Sequence, residues 1–113
     1  MADAGLLIGW NRVMPGKDAV AVELWGEMLT YLRRLHAAGQ VLSFEPVLLG
    51  AYGGPLNGFV LVRGSQEMLD KVRNSDEFLV FNVRANKVLD GFVVVRAHFG
   101  EEVAKIFRLY ATT

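Results

Sequence analysis

Apolar residues follow two rhythms along the chain. From residue 6 to 13 they form a short, nearly continuous run that stops at Met14-Pro15-Gly16. That length, with breakers beside it, predicts a strand buried on both faces. From Asp18 to about Ala38 the period lengthens: Val20, Leu24, Met28, Tyr31 and Leu35 recur at three- and four-residue steps, and Trp25, Leu29 and Leu32 widen the stripe. An amphipathic helix follows from that spacing. Asp18, Glu23 and Glu27 lie in its first half and Arg33, Arg34 and His36 near its end, as the helix dipole favours, and Gly39 supplies the stop.

Residues 41–49 and 59–62 read as strands joined by a Gly- and Pro-rich hairpin loop. Ser65 offers an N-cap oxygen to a helix with Glu67 in its first turn and Met68, Leu69 and Val72 inside. A second cap at Ser75 precedes Asp76, Glu77, Phe78, Phe81, Ala85, Val88 and Leu89, so this helical region is predicted to break in two near Asn74. Asp90-Gly91 turns the chain into a last apolar run, residues 92–99, and Gly100 leads to a short helix with Val103, Ile106, Phe107 and Tyr110 on one stripe. The order is β-α-β-β-α-β plus a C-terminal helix, read as one α+β domain over residues 1–113. Right-handed crossovers make it the ferredoxin-like split βαβ, with a four-stranded antiparallel sheet in the order 4-1-3-2 and both main helical regions on one face.

Composition sharpens this picture at the other face. Counting the 12 glycines in place of the 3 tyrosines raises the apolar share of the 113 residues to about 60 %, against roughly 45–50 % in soluble domains. The first, second and fourth predicted strands are apolar at nearly every position, so the sheet face opposite the helices is expected to be covered by a second copy, two sheets pairing as a dimeric α+β barrel. The 17 uncharged residues between Glu45 and Arg63 contain four glycines and two prolines, which suit two strands and a turn rather than a membrane span.

Charge and cysteine content narrow the function. Twelve Lys and Arg balance twelve Asp and Glu, with no basic block longer than Arg33-Arg34, so neither nucleic acid nor an anionic membrane is an expected partner. The absence of cysteine excludes thiolate catalysis and Cys-ligated metal and fits a cytoplasmic location. His36 and His98 lack partners at metal-ligand spacing, Gly50-Ala51-Tyr52-Gly53-Gly54 lacks the spacing of a phosphate-binding loop, and no nucleophile elbow occurs. No metal or cofactor is expected.

Strand alternation sorts the remaining polar residues. Trp10 and Arg12 share a face with Leu6 and Ile8, Arg96 and His98 with Phe92 and Val94, Arg63 with Phe59 and Leu61, and Glu45 with Ser43 and Val47. With those faces turned away from the helices, Trp10, Arg12, Glu45, Arg63, Arg96 and His98 line or rim a cavity between paired sheets, suited to a flat or carboxylated small molecule. With the opposite facing, Asn11 is the polar group in the cavity. His98 is the candidate catalytic base by its titration range. The structural alternative makes the strand-terminal arginines solvated ends or partners of Glu45.

Tyr31-Leu32, Leu35, Ala38-Gly39, Gly54-Pro55, Gly58-Phe59-Val60-Leu61-Val62 and Ser75-Asp76-Glu77-Phe78 resemble the YCII-related branch of the dimeric α+β barrel superfamily over roughly half the chain. The resemblance implies a ferredoxin-like protomer, a homodimer and a small-molecule pocket. It also implies an acid–base histidine three positions before the Tyr-Leu pair, where this chain has Met28. Elsewhere in that superfamily, cofactor-free monooxygenases use Asn, Trp and His, whereas Asn11, Trp10, Trp25 and His98 do not follow that motif order. Three readings emerge: a dimeric barrel binding a small hydrophobic or aromatic metabolite, a cofactor-independent monooxygenase or isomerase with His98 as base and Arg96 or Arg12 holding an anion, and an interaction module that docks through its terminal helix.

Overall fold

The structure, a computed structural model, describes residues 4–113. In chain order its elements are β1 (Ala4–Trp10), β2 (Arg12–Val13), α1 (Asp18–Ala37), β3 (Ser43–Leu48), β4 (Gly58–Gly64), α2 (Gln66–Arg73), α3 (Asp76–Val88), β5 (Leu89–Asp90), β6 (Val93–His98) and α4 (Glu101–Thr112). β3, β4, β1 and β6 form an antiparallel sheet in that spatial order, as the split βαβ pattern predicts. Pro46 sits in β3, an edge strand, where its missing N–H costs no ladder bond. The helix breaks also fall where the caps put them: Ser65 Oγ accepts from Met68 N at 3.1 Å and Ser75 Oγ from Phe78 N at 3.3 Å.

The first strand is shorter than its apolar run. It leaves the main sheet after Trp10, and Arg12 and Val13 pair instead with Asp90 and Leu89 in a two-residue ribbon. Asn11 makes the switch. Its backbone N–H donates to Asp90 O at 2.9 Å, while Asn57 Nδ2 donates to Asn11 O at 2.6 Å and to Asn11 Oδ1 at 2.8 Å. The exchange of partners depends on these polar contacts, which an apolar run cannot announce.

Register decides which side chains meet the helices. Leu6 stands opposite Val62 on one side and Arg96 on the other, and Ile8 opposite Val60 and Val94. Residues directly opposite share a face, so Leu6, Ile8, Val60 and Val62 point into the core with Leu24, Met28, Leu32 and Leu35 of α1, Leu69 and Val72 of α2, and Phe78 and Phe81 of α3. On the open face lie Leu7, Phe59, Leu61, Val93 and Val95, with Phe99 folded over Gly5 and the Arg63 guanidinium 4.1 Å from the Phe99 ring centre. No helix among the described residues is long and apolar enough to cross a membrane.

A bidentate ion pair ties α1 to α3 on the outside of the core: Arg84 Nη1 and Nη2 donate to Glu27 Oε1 and Oε2 at 3.0 and 2.6 Å. The Arg84 hydrogen bonds hold the Glu27 carboxyl below its ordinary value, against a smaller opposing effect of desolvation. A carboxyl whose pKa is lower folded than unfolded adds its full stability above the unfolded value and loses it as pH falls through the folded one. Glu27→Gln should therefore melt below wild type at pH 7, and the gap should close below about pH 4. Thermal melts at both pH values check this; a constant gap would mean that the pair contributes nothing through its charge.

Candidate functional site

A half-open apolar cavity of about 530 Å³ lies between the sheet and helices α1 and α3. Ala21, Leu24, Trp25 and Met28 of α1, on one side of the helix, form one wall. Ile8 and Trp10 of β1 and Val60 of β4 make the floor, Phe81 and Ala85 of α3 the opposite wall, and Leu89 and Phe92 the far end. At the mouth are Val22 and Leu48, 71 % and 81 % exposed, beside Pro46 and Val47.

Two aromatic rings give the cavity its shape. Trp10 and Trp25 meet edge to face, ring centres 5.2 Å apart. Trp10 also packs against Gly58, its cross-strand partner, where a β-carbon would come within 2.4 Å of the indole. Gly58 is thus required for space and not for an unusual backbone, since it is absent from the positive-φ glycines. Leu56 and Asn57 hold the adjoining loop: Leu56 rests against Gly9, and Asn57 N donates to Trp10 O at 2.9 Å.

No lining residue carries a titratable side chain. The only side-chain hydrogen-bond donors among the lining residues are the two indole N–H groups, so the chemistry favoured is uptake of a flat, uncharged molecule. An ionised guest would surrender its hydration with no counter-charge in return. Among the described residues no three potential metal ligands cluster.

No protein-family model matches the chain, and no curated protein does. Solved structures do. A dimeric protein of unknown function with a ferredoxin-like fold from Bacteroides fragilis aligns with a TM-score of 0.61 at 11 % identity, over 85 % of this chain and 95 % of that one. A protein of the ethyl tert-butyl ether d (EthD) family from Bacillus halodurans aligns with a TM-score of 0.64 at 10 % identity, over 87 % and 99 %. PA3566 from Pseudomonas aeruginosa aligns with a TM-score of 0.59 at 17 % identity, over 88 % and 96 %. The fold is ferredoxin-like.

On this ferredoxin-like frame the residues singled out by strand alternation separate. Trp10 lines the cavity. Arg96 and His98 share its side of the sheet, because they stand opposite Leu6 and Ala4. His98 is nevertheless about 13 Å along the strands from the Ile8 level of the cavity floor, where Nδ1 meets Glu102 Oε1 while Arg96 Nη2 donates to Glu102 Oε2 at 3.2 Å. Those contacts, that of His98 foremost, hold the Glu102 carboxyl below its ordinary value. Arg63 and Glu45 lie on the open face, Arg63 over Phe99 and Glu45 exposed opposite Leu61. Arg12 is exposed with its Nε 3.5 Å from Asp90, and Asn11 is engaged with Asn57.

The expectation that these residues share one face is corrected by the register. Alternation within a strand gives two faces but not which face of its neighbour each joins; the cross-strand pairs put the Trp10 and His98 sets with the helices and the Glu45 and Arg63 sets on the open side. Met28, which stands where the YCII-related resemblance implies a histidine, is 7 % exposed and forms part of the cavity wall. Trp25, Leu24, Phe81 and Phe92 also line the cavity, and the sequence pattern does not mark them as site residues. Their spacing is that of helix and strand core, and an apolar side chain facing a cavity leaves the same mark in sequence as one facing another side chain.

Proposed function

We propose that this chain is a binding protein for a small, uncharged, aromatic or otherwise hydrophobic molecule, held between the sheet and α1 and α3, and that it works as a homodimer through the open sheet face. The carrying observation is the cavity itself: about 530 Å³, within the range that encloses a small organic ligand, with apolar walls and two indole rings. Met28 in the wall supports binding over the acid–base chemistry implied by the YCII-related resemblance, since a thioether accepts no proton at neutral pH. The acid–base alternative through His98 draws no support from a side chain engaged with Glu102 outside the cavity. The apolar residues of the open face support the homodimer, and the lack of cysteine supports a cytoplasmic setting.

Titration with the neutral fluorophore N-phenyl-1-naphthylamine tests this reading. Expected is saturable binding in the micromolar range, about −8 kcal/mol, with energy transfer from Trp10 or Trp25. Ala21→Phe, which places a ring in the cavity, should weaken binding at least about tenfold, and 8-anilinonaphthalene-1-sulfonate should bind more weakly than its neutral relative because no cation awaits its sulfonate. Binding unaffected by Ala21→Phe would place the fluorophore elsewhere and remove the proposal.

A further inference from the structure

We propose that α4 is an arm that docks on a second copy of this chain, extending the homodimer beyond the sheet edge at β6; the inference rests on the sheet-face dimer proposed above. Along α4, Val103, Ile106, Phe107 and Tyr110 fall within one side of the helix, while Glu101, Lys105 and Arg108 fall on the other. Among the described residues the apolar side is only partly covered: Val103 and Ile106 are half-buried, no residue of α4 is buried, and Phe107 and Tyr110 are 68 % and 78 % exposed. A helix of 12 residues is marginal in water without tertiary packing.

The arm is nonetheless held in place at its root. Phe99 is pinned over Gly5 beneath Arg63 on one side of the sheet, and Glu102 is gripped by Arg96 and His98 on the other. Between them Gly100 adopts φ 55°, which sets the departure of the helix and favours glycine. A root fixed from both sides keeps the apolar stripe projecting, in a geometry already paid for before a partner arrives.

Area and continuity identify the occupant. The chain exposes 7199 Å², whereas a compact monomer of 12.5 kDa exposes about 6,200 Å². The surplus, roughly 1,000 Å², is that of a chain with a projecting element, and it leaves room for the roughly 800 Å² per partner of a standard interface. The radius of gyration, 15.2 Å, likewise exceeds the roughly 13 Å of a compact chain of this length. The strand that leads into the arm, β6, carries Val93 and Val95 on the open face, 40 % and 47 % exposed, so a partner seated there meets an interface that continues toward α4. A two-fold axis lets each copy give and receive an arm. The polar side of α4 carries two acids and two bases, unlike the cationic face of a helix that binds anionic lipid.

Sedimentation equilibrium on the full chain tests the inference. Wild type should be a dimer, and the double variant Phe107→Ser, Tyr110→Ser should raise the dimer dissociation constant at least about 30-fold, with unchanged fluorophore binding because α4 does not line the cavity. An unchanged constant in that variant, with dissociation by Val95→Lys, overturns the arm and leaves the sheet-face dimer standing. A monomeric wild type overturns both, and a monomer that α4 attaches to phosphatidylglycerol vesicles overturns the arm in favour of a membrane. Should the double variant fail to fold, hydrogen exchange on wild type decides: α4 amides should be protected at least about tenfold more strongly in dimer than in monomer, and equal protection overturns the arm.

Discussion

Phe78→Ala should lower stability by about 3–5 kcal/mol, while Leu79→Ala, one residue along, should change it by no more than about 0.5 kcal/mol. Phe78 is 0 % exposed and Leu79 47 % exposed, although both are large and apolar and both lie in the first turn of α3. Truncating Phe78 removes a ring from the core and leaves a void among neighbours that relax only in part, so lost transfer energy and cavity cost add. Against a total of about 5–15 kcal/mol for a domain of this size, that loss is a large fraction and should lower the melting temperature by about 15–25 °C. Urea unfolding of both variants measures the contrast. Equal losses would mean that α3 presents a different face to the sheet, and with it that Phe81 and Ala85 do not wall the cavity.

That contrast also marks how far the sequence could be read. Helical spacing identified Phe78, Phe81, Ala85 and Val88 as one inward stripe, and the structure buries all four. The caps at Ser65 and Ser75 were legible because a hydroxyl ahead of acidic residues has a local physical role that needs no tertiary context. Strand order followed from the element sequence and crossover handedness, and is observed. Facing across the sheet was not legible. A strand of alternating side chains has two faces, and only its pairing register decides which residues of the neighbour join each one. The shift at Asn11 shows the same limit at smaller scale, since its partners Asn57 and Asp90 are distant in sequence. At the candidate site, a cavity wall and a packed core have the same apolar signature, so strand alternation picks out Trp10 while the spacing of Trp25 and Met28 is that of helix core. For the terminal helix the stripe was legible, but its exposure was not: periodicity reports that a face is apolar and is silent on whether anything covers it.

Gly58→Ala should separate the cavity from the stability of the fold. A β-carbon at this position comes within 2.4 Å of the Trp10 indole, closer than packed atoms tolerate, and the obstacle is a rigid ring. In a filled core that overlap would strain the backbone. Here the ring has the cavity beside it, because Trp10 itself forms part of the floor, so the indole can relieve the clash by moving into empty space. The cost in stability should therefore fall at the lower end of the about 1–3 kcal/mol typical of overpacking, while fluorophore affinity should drop at least about tenfold, or about 1.4 kcal/mol. Removing the obstacle should reverse the loss: Trp10→Leu in the Gly58→Ala background should regain stability relative to additivity, with a coupling of about 0.5–3 kcal/mol because the two positions are in contact. Chemical denaturation and fluorophore titration of the two single variants and the double variant complete the cycle, with Trp25 retained as the energy donor. Zero coupling together with unchanged affinity in Gly58→Ala would mean that the indole is not seated on Gly58 and that the floor of the cavity lies elsewhere.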